Sequence, residues 1–237
     1  MYIKEKLKLN SYLSKSGISS RRNADNLIKS GNIKVNGKII KKLGYIISNN
    51  DIVKYKDKRL YPEKKIYLIL NKPKGYVSSM KKQDNNNIVL DLIKINYKIF
   101  SIGRLDIETS GVLLFTNDGY LSNKLTHPKF NIKKIYHVVL NKKINNKDLL
   151  KIKNSFSFKE GKLKIYNISY IKKLPKNNIK LELHIGWNKI VKRIFNKIKY
   201  KVLYLKRINF GGITIKGLKI GEYRYLKKNE ILLLKNL

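Results

Sequence analysis

The sequence predicts an α+β protein made of two unequal domains. Three observations support this: a helix–helix–hairpin pattern over residues 7–58, a charged stretch broken by Pro62, and strands that mix with helices afterwards without strict alternation. We therefore expect the second domain to contain a mixed, largely antiparallel central sheet. The predicted boundaries are residues 1–60 for the first domain, a linker to about residue 65, and residues 66–237 for the second domain.

The first domain is expected to begin with two short helices. Residues 9–13 have apolar side chains at the i, i+3, i+4 spacing of a helix, which Gly17 would end. Ser19 or Ser20 can cap a second helix that stops at Gly31. A hairpin follows, because Asn36-Gly37 lies between two short β-prone runs, and residues 51–55 supply another strand.

The second domain alternates β-prone and helical segments. We predict strands at residues 66–70, 112–116, 135–140, 179–185 and 201–205, and helices near residues 120–126, 146–153 and 189–198.

The charge of the chain indicates a polyanionic partner. There are 54 basic and 15 acidic residues, for a formal net charge of +39. Neutralising phosphates releases condensed counterions, so such a protein is expected to bind nucleic acid. However, 47 of the basic residues are Lys, which an AT-rich genome over-supplies together with Ile and Asn. The charge alone therefore predicts a nucleic-acid partner only weakly.

Several classes of function lack their residues in this sequence. There is no Cys, and His127, His137 and His184 form no ligand-spaced pair, so we predict no metal site. The sequence has no P-loop and no dinucleotide-binding glycine pattern, so no cofactor is expected. The N-terminus lacks the apolar run of a signal peptide and no segment has the length of a membrane span, which predicts a cytoplasmic protein.

The run Gly103-Arg104-Leu105-Asp106 precedes a predicted turn at residues 109–111 and an apolar strand. In an extended segment Arg104 and Asp106 point to one face, and the arginine would help to keep the carboxylate ionised. The pattern alone is compatible with a structural ion pair on a hairpin or with a reacting carboxylate.

Three further segments carry candidate functional side chains. Residues 71–79 form a turn after a strand and offer Lys72 and Lys74 as cations. Tyr136 lies in a strand, where its alternation with apolar residues also fits an ordinary core tyrosine. The helix at 189–198 has an apolar stripe and a basic face, which is either solvated or functional; that face includes Lys189, Lys192 and Arg193.

Taken together, these segments resemble the RNA pseudouridine synthases, in the branch that modifies ribosomal RNA. The resemblance implies that Asp106 is the catalytic residue, that Tyr136 stacks on the target base, and that Lys192 pairs with Asp106. It covers nearly the whole chain, and it implies RNA contacts from the nearby cations, namely Lys72, Lys74, Arg104, Lys189 and Arg193.

The run Gly17-Ile18-Ser19-Ser20-Arg21-Arg22 resembles the small S4-like RNA-binding domain found in a ribosomal protein and in many RNA-modifying enzymes. Arg21 and Arg22 would lie in the first turn of a helix, beside free backbone amides, which suits phosphate. We expect both arginines to bind RNA.

The resemblance implies that a specific uridine in ribosomal RNA is isomerised to pseudouridine without a cofactor. The partner would be ribosomal RNA or a ribosomal subunit precursor, and the enzyme is expected to be a monomer. The run at residues 17–22 and the run at 125–129 favour the large subunit. Two alternatives remain, a small-subunit enzyme and a non-catalytic assembly factor of the same fold. The second draws on departures from the family pattern at Ser11, Ile185 and Ile190.

Overall fold

Two segments of the chain form separate units in the computed structural model of this protein, one ending at Lys65 and the other spanning residues 66–237. The structure describes residues 7–82, 86–153 and 156–237.

The first unit contains the two predicted helices, α1 (Leu9–Lys15) and α2 (Arg21–Lys29). The Ser20 hydroxyl caps α2 by accepting the N–H of Asn23 at 3.3 Å. The helices bury one apolar face each against short strands, and this packing forms a core that belongs to the first unit alone. Those strands are β1 (Leu7–Lys8), β2 (Ile33–Val35), β3 (Lys38–Ile39), β4 (Ile46–Ile47), β5 (Val53–Tyr55) and β6 (Lys58–Arg59).

Residues 56–60, which the sequence assigns to the end of the first domain, lie in the first unit. Strand β6 pairs with β5, Leu60 is buried in the core of the first unit, and the N–H of Glu63 donates to the Lys15 carbonyl at 2.8 Å. Lys56 and Asp57 adopt the left-handed backbone of a tight hairpin turn. The charged composition had concealed this hairpin, because its side chains face solvent.

The second unit is organised around one nine-stranded sheet. Seven strands follow the order β13-β14-β10-β15-β9-β7-β17, while β8 pairs with β9 and β16 pairs with β15. Their bounds are β7 (Tyr67–Lys72), β8 (Phe100–Ile102), β9 (Ser110–Thr116), β10 (Lys134–Leu140), β13 (Asn167–Tyr170), β14 (Asn178–Leu183), β15 (Val202–Phe210), β16 (Ile213–Thr214) and β17 (Tyr223–Tyr225). A small separate hairpin consists of β11 (Phe156–Phe158) and β12 (Gly161–Leu163).

The pairing pattern confirms the predicted α+β class with a mixed, largely antiparallel sheet. Within the described residues, the neighbours in this sheet are antiparallel except β9 and β15, which run parallel where Gly111 faces Arg207. This parallel contact joins the two halves of the sheet.

Helices cover the sheet in two groups. Strands β10, β14 and β15 share a core with α4 (Asn146–Lys153) and α5 (Ile190–Lys197). Strands β7 and β9 share another core with α3 (Gly119–Thr126) and α6 (Lys228–Asn236). A third core packs Leu105 against the opposite side chains of β7 and β9. Residues of all three cores line one pocket of the second unit.

Candidate functional site

A cavity of about 730 Å³ opens in the second unit, where several of the predicted site residues meet. This size lies in the range of sites that hold a small molecule or a single nucleotide. Its lining includes Arg104, Asp106, Tyr136, Trp187 and Lys189, and Trp187 is the single tryptophan of the chain.

Asp106 is half-buried in the loop between β8 and β9. The turn predicted at residues 109–111 lies earlier than expected, because the N–H of Thr109 donates to the Asp106 carbonyl at 2.9 Å and Ser110 already belongs to β9. Among the described residues, neither Arg104 nor Lys192 forms an ion pair with Asp106, and its carboxylate accepts no hydrogen bond. The carboxylate therefore lines the pocket with its acceptors free for a ligand.

Lys72 does not lie at the surface, where the sequence suggested a cation for RNA. Its side chain is fully buried (0% exposed), and its Nζ donates to the carbonyls of Pro73 and Thr109 at 2.9 Å and of Asp106 and Ile107 at 3.2 and 3.3 Å. The physical reason is that this loop turns its carbonyls inward, and an ammonium group with several donors satisfies them. Lys72 thus holds the Asp106 loop and cannot contact RNA.

Burial also affects the protonation of Lys72. Removal from water lowers its pKa to about 8, while the carboxylates of Glu108 and Asp106 act in the opposite direction.

Two further groups from the turn at residues 71–79 fix the same loop. The N–H of Gly75 donates to the Ile107 carbonyl at 2.9 Å. The hydroxyl of Ser78 donates to the Leu105 carbonyl and accepts the Leu105 N–H. The turn that the sequence identifies as a motif therefore positions the backbone around Asp106.

Gly111 is the point where three strands meet behind this loop. It pairs with Lys72 of β7 on one side and with Arg207 of β15 on the other. Its φ is +105°, and a Cβ added there would collide with the backbone carbonyl of Arg207. Only glycine allows this close parallel approach without strain.

Tyr136 lies near the centre of the sheet, on β10, opposite Leu181 of β14 and Arg207 of β15. It is 8% exposed, it belongs to the core beside α5, and it lines the pocket. Tyr136 is therefore a core residue and a pocket-lining residue at the same time.

Two buried cations in the pocket wall were not identified from the sequence. Arg207 is 3% exposed and Lys134 is 8% exposed, and both line the cavity. The Nε of Arg207 donates to the Val112 carbonyl at 2.9 Å, and the Nζ of Lys134 donates to the carbonyls of Ile132 and His184. A signal was present, because Arg207 alternates in phase with buried Leu205 along its strand.

The three basic residues predicted on one helix face lie in different environments. Lys189 precedes α5, is exposed and lines the pocket. Lys192 is half-buried on α5 and is not among the lining residues. Arg193 makes a bidentate ion pair with Glu160 at 2.7 and 2.8 Å, and Glu160 raises the pKa of the guanidinium. The pocket therefore receives one exposed cation from this segment, at a position adjacent to α5.

The other predicted RNA-contacting residues lie outside the pocket or at its edge. Arg104 is exposed and lines the cavity. Lys74 lies with its Nζ 4.9 Å from the centre of the Tyr204 ring. In the first unit, Arg21 and Arg22 are exposed and are the first two residues of α2.

Ile185 and Ile190, where the sequence departs from the family pattern, are apolar residues that also pack in apolar surroundings. Ile190 is 4% exposed, packs in the core and lines the pocket, while Ile185 is half-buried against the same core. Ser11 is half-buried on α1.

Within residues 7–82, 86–153 and 156–237, no cluster of three or more His, Asp or Glu side chains could hold a metal ion. Among the same residues, no helix combines the length and the hydropathy that crossing a membrane requires.

Comparison with known families gives two matches. A family model described as RNA pseudouridylate synthase matches residues 66–197, which include Asp106, Tyr136 and Lys192. A model of the S4 domain matches residues 7–53, which include both arginines of α2.

Individual proteins show the same similarity along nearly their whole length. The chain is 38% identical over 229 residues to the ribosomal large subunit pseudouridine synthase B of Bacillus subtilis (strain 168), covering 94% of this chain and 93% of that protein. It is 37% identical to an uncharacterized RNA pseudouridine synthase of Aquifex aeolicus (strain VF5), covering 98% and 97%. A crystal structure of a pseudouridylate synthase superposes with a TM-score of 0.69 at 29% identity, covering 96% of this chain and 99% of that one.

Proposed function

The chain belongs to the RNA pseudouridine synthase family, with an S4 domain at its N-terminus, and on this premise we propose that it converts one specific uridine of large-subunit ribosomal RNA to pseudouridine, with Asp106 as the catalytic residue. The choice of the large subunit draws on the name of the Bacillus subtilis relative and on the runs at residues 17–22 and 125–129.

The reaction needs few chemical groups. The bond between C1′ of the ribose and N1 of uracil breaks, the base turns, and a new bond joins C1′ to C5, while the proton of C5 is released and N1 ends protonated. Nothing is gained or lost overall, so no cofactor is required. An ionised carboxylate can serve by attacking C1′ or by removing the proton from C2′.

One observation carries the assignment to Asp106. Its carboxylate borders the pocket without a hydrogen bond or an ion pair among the described residues, although Lys72 and Thr109 both bind its backbone carbonyl. A structural aspartate would normally use its side chain for such contacts. Here the backbone is fixed and the acceptor oxygens are left for the substrate.

The other site residues are proposed to position the nucleotide. Tyr136 would stack on the detached base, which contributes about 1–3 kcal/mol per base and tolerates its rotation. Lys192 would approach Asp106 once RNA is bound, from the helix whose first turn borders the pocket. Exposed cations at the pocket edge, namely Arg104 and Lys189, would bind the flanking phosphates.

A uridine in folded RNA must leave its base stack to reach the pocket, at a cost of a few kcal/mol. Phosphate contacts by Arg21 and Arg22 of the S4 domain, together with Lys74 and Arg193 of the second unit, would help to offset this cost.

Pseudouridine mapping of ribosomal RNA, in cells with and without this protein, tests the proposal. Loss of one large-subunit site supports it and names the target uridine. Loss of a small-subunit site would assign the substrate to the other subunit, and no lost site would indicate a non-catalytic assembly factor.

The substitution Asp106→Asn tests the catalytic residue. We expect no detectable pseudouridine, while the affinity for the RNA changes less than about twofold, because binding rests on phosphate contacts. Glu108→Gln removes a charge from the same turn and should retain activity, since Glu108 does not line the cavity. An Asp106→Asn enzyme with a normal rate would refute the assignment.

A further inference from the structure

Arg207 is buried in the pocket wall without an anionic partner. It is 3% exposed, and no carboxylate among the described residues lies within 4.0 Å of its guanidinium. Its Nε donates to the Val112 carbonyl, but Nη2 has no hydrogen-bond partner among those residues. A buried guanidinium with an unused donor is costly, because it has lost its water and gained too little in return.

A second buried cation lies beside it. Lys134 pairs in register with Phe210 of β15, and Arg207 stacks at 4.8 Å over the ring of that same phenylalanine. The two positive charges repel each other. Burial and, to a smaller extent, the charge of Arg207 lower the pKa of Lys134 to about 8. Two like charges in one apolar wall indicate that the site is organised for an anion or for polar oxygens.

The location specifies which part of a nucleotide would meet these cations. Arg207 faces Tyr136 across the strand pair. Burial lowers the pKa of the Arg207 guanidinium, while the charge of Tyr136 and a hydrogen bond with its side chain act in the opposite direction. Tyr136 is the residue proposed to hold the base, so Arg207 and Lys134 lie at the base end of the cavity. The exposed cations of the pocket edge remain for phosphates.

The chemistry of the proposed reaction supplies a negative charge at that end. When the C1′–N1 bond breaks, its electron pair leaves with the base, and the charge of the detached uracil is shared by N1, O2 and O4. The pair returns to C1′ when the bond to C5 forms. A cation that the fold already holds in place stabilises such a transient charge at no cost of reorganisation.

We propose that Arg207, assisted by Lys134, binds a carbonyl oxygen of the target uracil and stabilises the negative charge of the base while it is detached. This inference rests on the proposed function. It assigns Arg207 a catalytic role that is separate from that of Asp106, because one residue acts on the sugar and the other on the departing base.

Single-turnover kinetics with saturating enzyme tests the inference, with tritium release from C5 of the mapped uridine as the readout. We expect Arg207→Gln to lower the rate by about 100-fold, in the range measured for losing one donor to a developing negative charge. RNA affinity should stay within about twofold, since phosphate contacts are intact. Arg207→Lys keeps a charge and should show an intermediate rate.

A sulfur substitution separates a direct contact from a structural role. Sulfur in place of O2 or of O4 of the target uracil accepts hydrogen bonds poorly. At the oxygen that Arg207 contacts, the sulfur substrate should therefore slow the wild-type enzyme strongly and the Arg207→Gln enzyme little. We expect the two slowing factors to differ on the order of tenfold. Equal sulfur effects in both enzymes, at both positions, would overturn the inference. Arg224→Gln is the matched control, because it removes an arginine that is ion-paired to Glu230 and does not line the pocket.

The outcomes are distinguishable from failure of the proposed function. If the wild-type enzyme forms no pseudouridine, the function itself is wrong. If it does, and Arg207→Gln reacts at the wild-type rate, only the role of Arg207 is wrong. The fluorescence of Trp187 reports whether Arg207→Gln is folded. If Arg207→Gln does not fold, Arg207→Lys takes its place in the same comparison of oxygen and sulfur substrates.

Discussion

Ser78 binds the backbone of Leu105 from both sides. Its hydroxyl donates to the Leu105 carbonyl at 2.8 Å and accepts the Leu105 N–H at 3.1 Å, and both partners are buried. Leu105 directly precedes Asp106, so one hydroxyl group fixes the backbone next to the carboxylate that we propose to be catalytic.

We therefore predict that Ser78→Ala lowers the rate of modification more than it lowers RNA affinity. The substitution leaves a buried N–H and C=O without partners, which costs about 1–3 kcal/mol and loosens the loop. Single-turnover rates should fall about tenfold or more, as small displacements of a reacting group do. Ser101→Ala, in the strand that leads into the loop, is the control. An unchanged rate in Ser78→Ala would show that the loop keeps its geometry without this hydroxyl.

The buried charge of Lys72 should appear in the pH dependence of stability. Its pKa falls from 10.5 to about 8 on folding, so between these pH values the unfolded chain holds more protons than the folded protein. The free energy of unfolding therefore contains a contribution that rises with pH across this window. Lys72→Met lacks the titrating group, so the free energy of wild type minus that of Lys72→Met should increase from pH 8 to pH 10.

Urea unfolding followed by Trp187 fluorescence measures this difference, because the single tryptophan reports on the second unit. Lys134 titrates in both proteins and cancels in the subtraction. A difference that stays constant or falls with pH would contradict the burial of a protonated Lys72.

Gly111→Ala is expected to destabilise the second unit by about 3 kcal/mol or more. The methyl group collides with the Arg207 carbonyl, and the φ of +105° is strained for alanine. Gly119→Ala is the matched control, since a Cβ there meets nothing within 4 Å and Gly119 is the first residue of α3, where alanine favours helix. Thermal unfolding of both variants decides the point, and equal stability would refute the close approach of β9 and β15.

The double substitution of Arg21 and Arg22 by alanine should weaken RNA binding without changing the single-turnover rate of bound RNA. The logarithm of the binding constant falls linearly with the logarithm of the salt concentration, and each lost phosphate contact makes this slope shallower by about 0.7–0.9. Lys29→Ala, at the opposite end of α2, removes a charge away from the exposed amides and serves as control. Affinity measured at several salt concentrations is the test. Equal slopes for the double variant and the wild type would exclude α2 as a phosphate site.

Much of the fold follows from local patterns in the sequence. The cap at Ser20, the turn at Asn36-Gly37 and the apolar stripe of α5 are short-range signals, and the structure has an element at each of them. The hairpin at β5 and β6 was missed because its two strands are short and its exposed side chains are charged.

The environment of the site could not be derived in the same way. Lys72 has no sequence feature that distinguishes it from the other lysines, because three of its four acceptors come from a loop more than thirty residues away in the chain. Arg207 meets Val112 and Tyr136 through pairings between distant strands. Burial of a charge is decided by tertiary contacts, and a single sequence does not show them.

The parallel pairing of Gly111 with Arg207 also sets the order of events during synthesis on the ribosome. The S4 domain has its own core and needs only residues up to Lys65, so it can fold early in translation. The pocket needs β15 and is incomplete until Phe210 has been added. A nascent chain therefore completes the core of its S4 domain long before it completes the pocket.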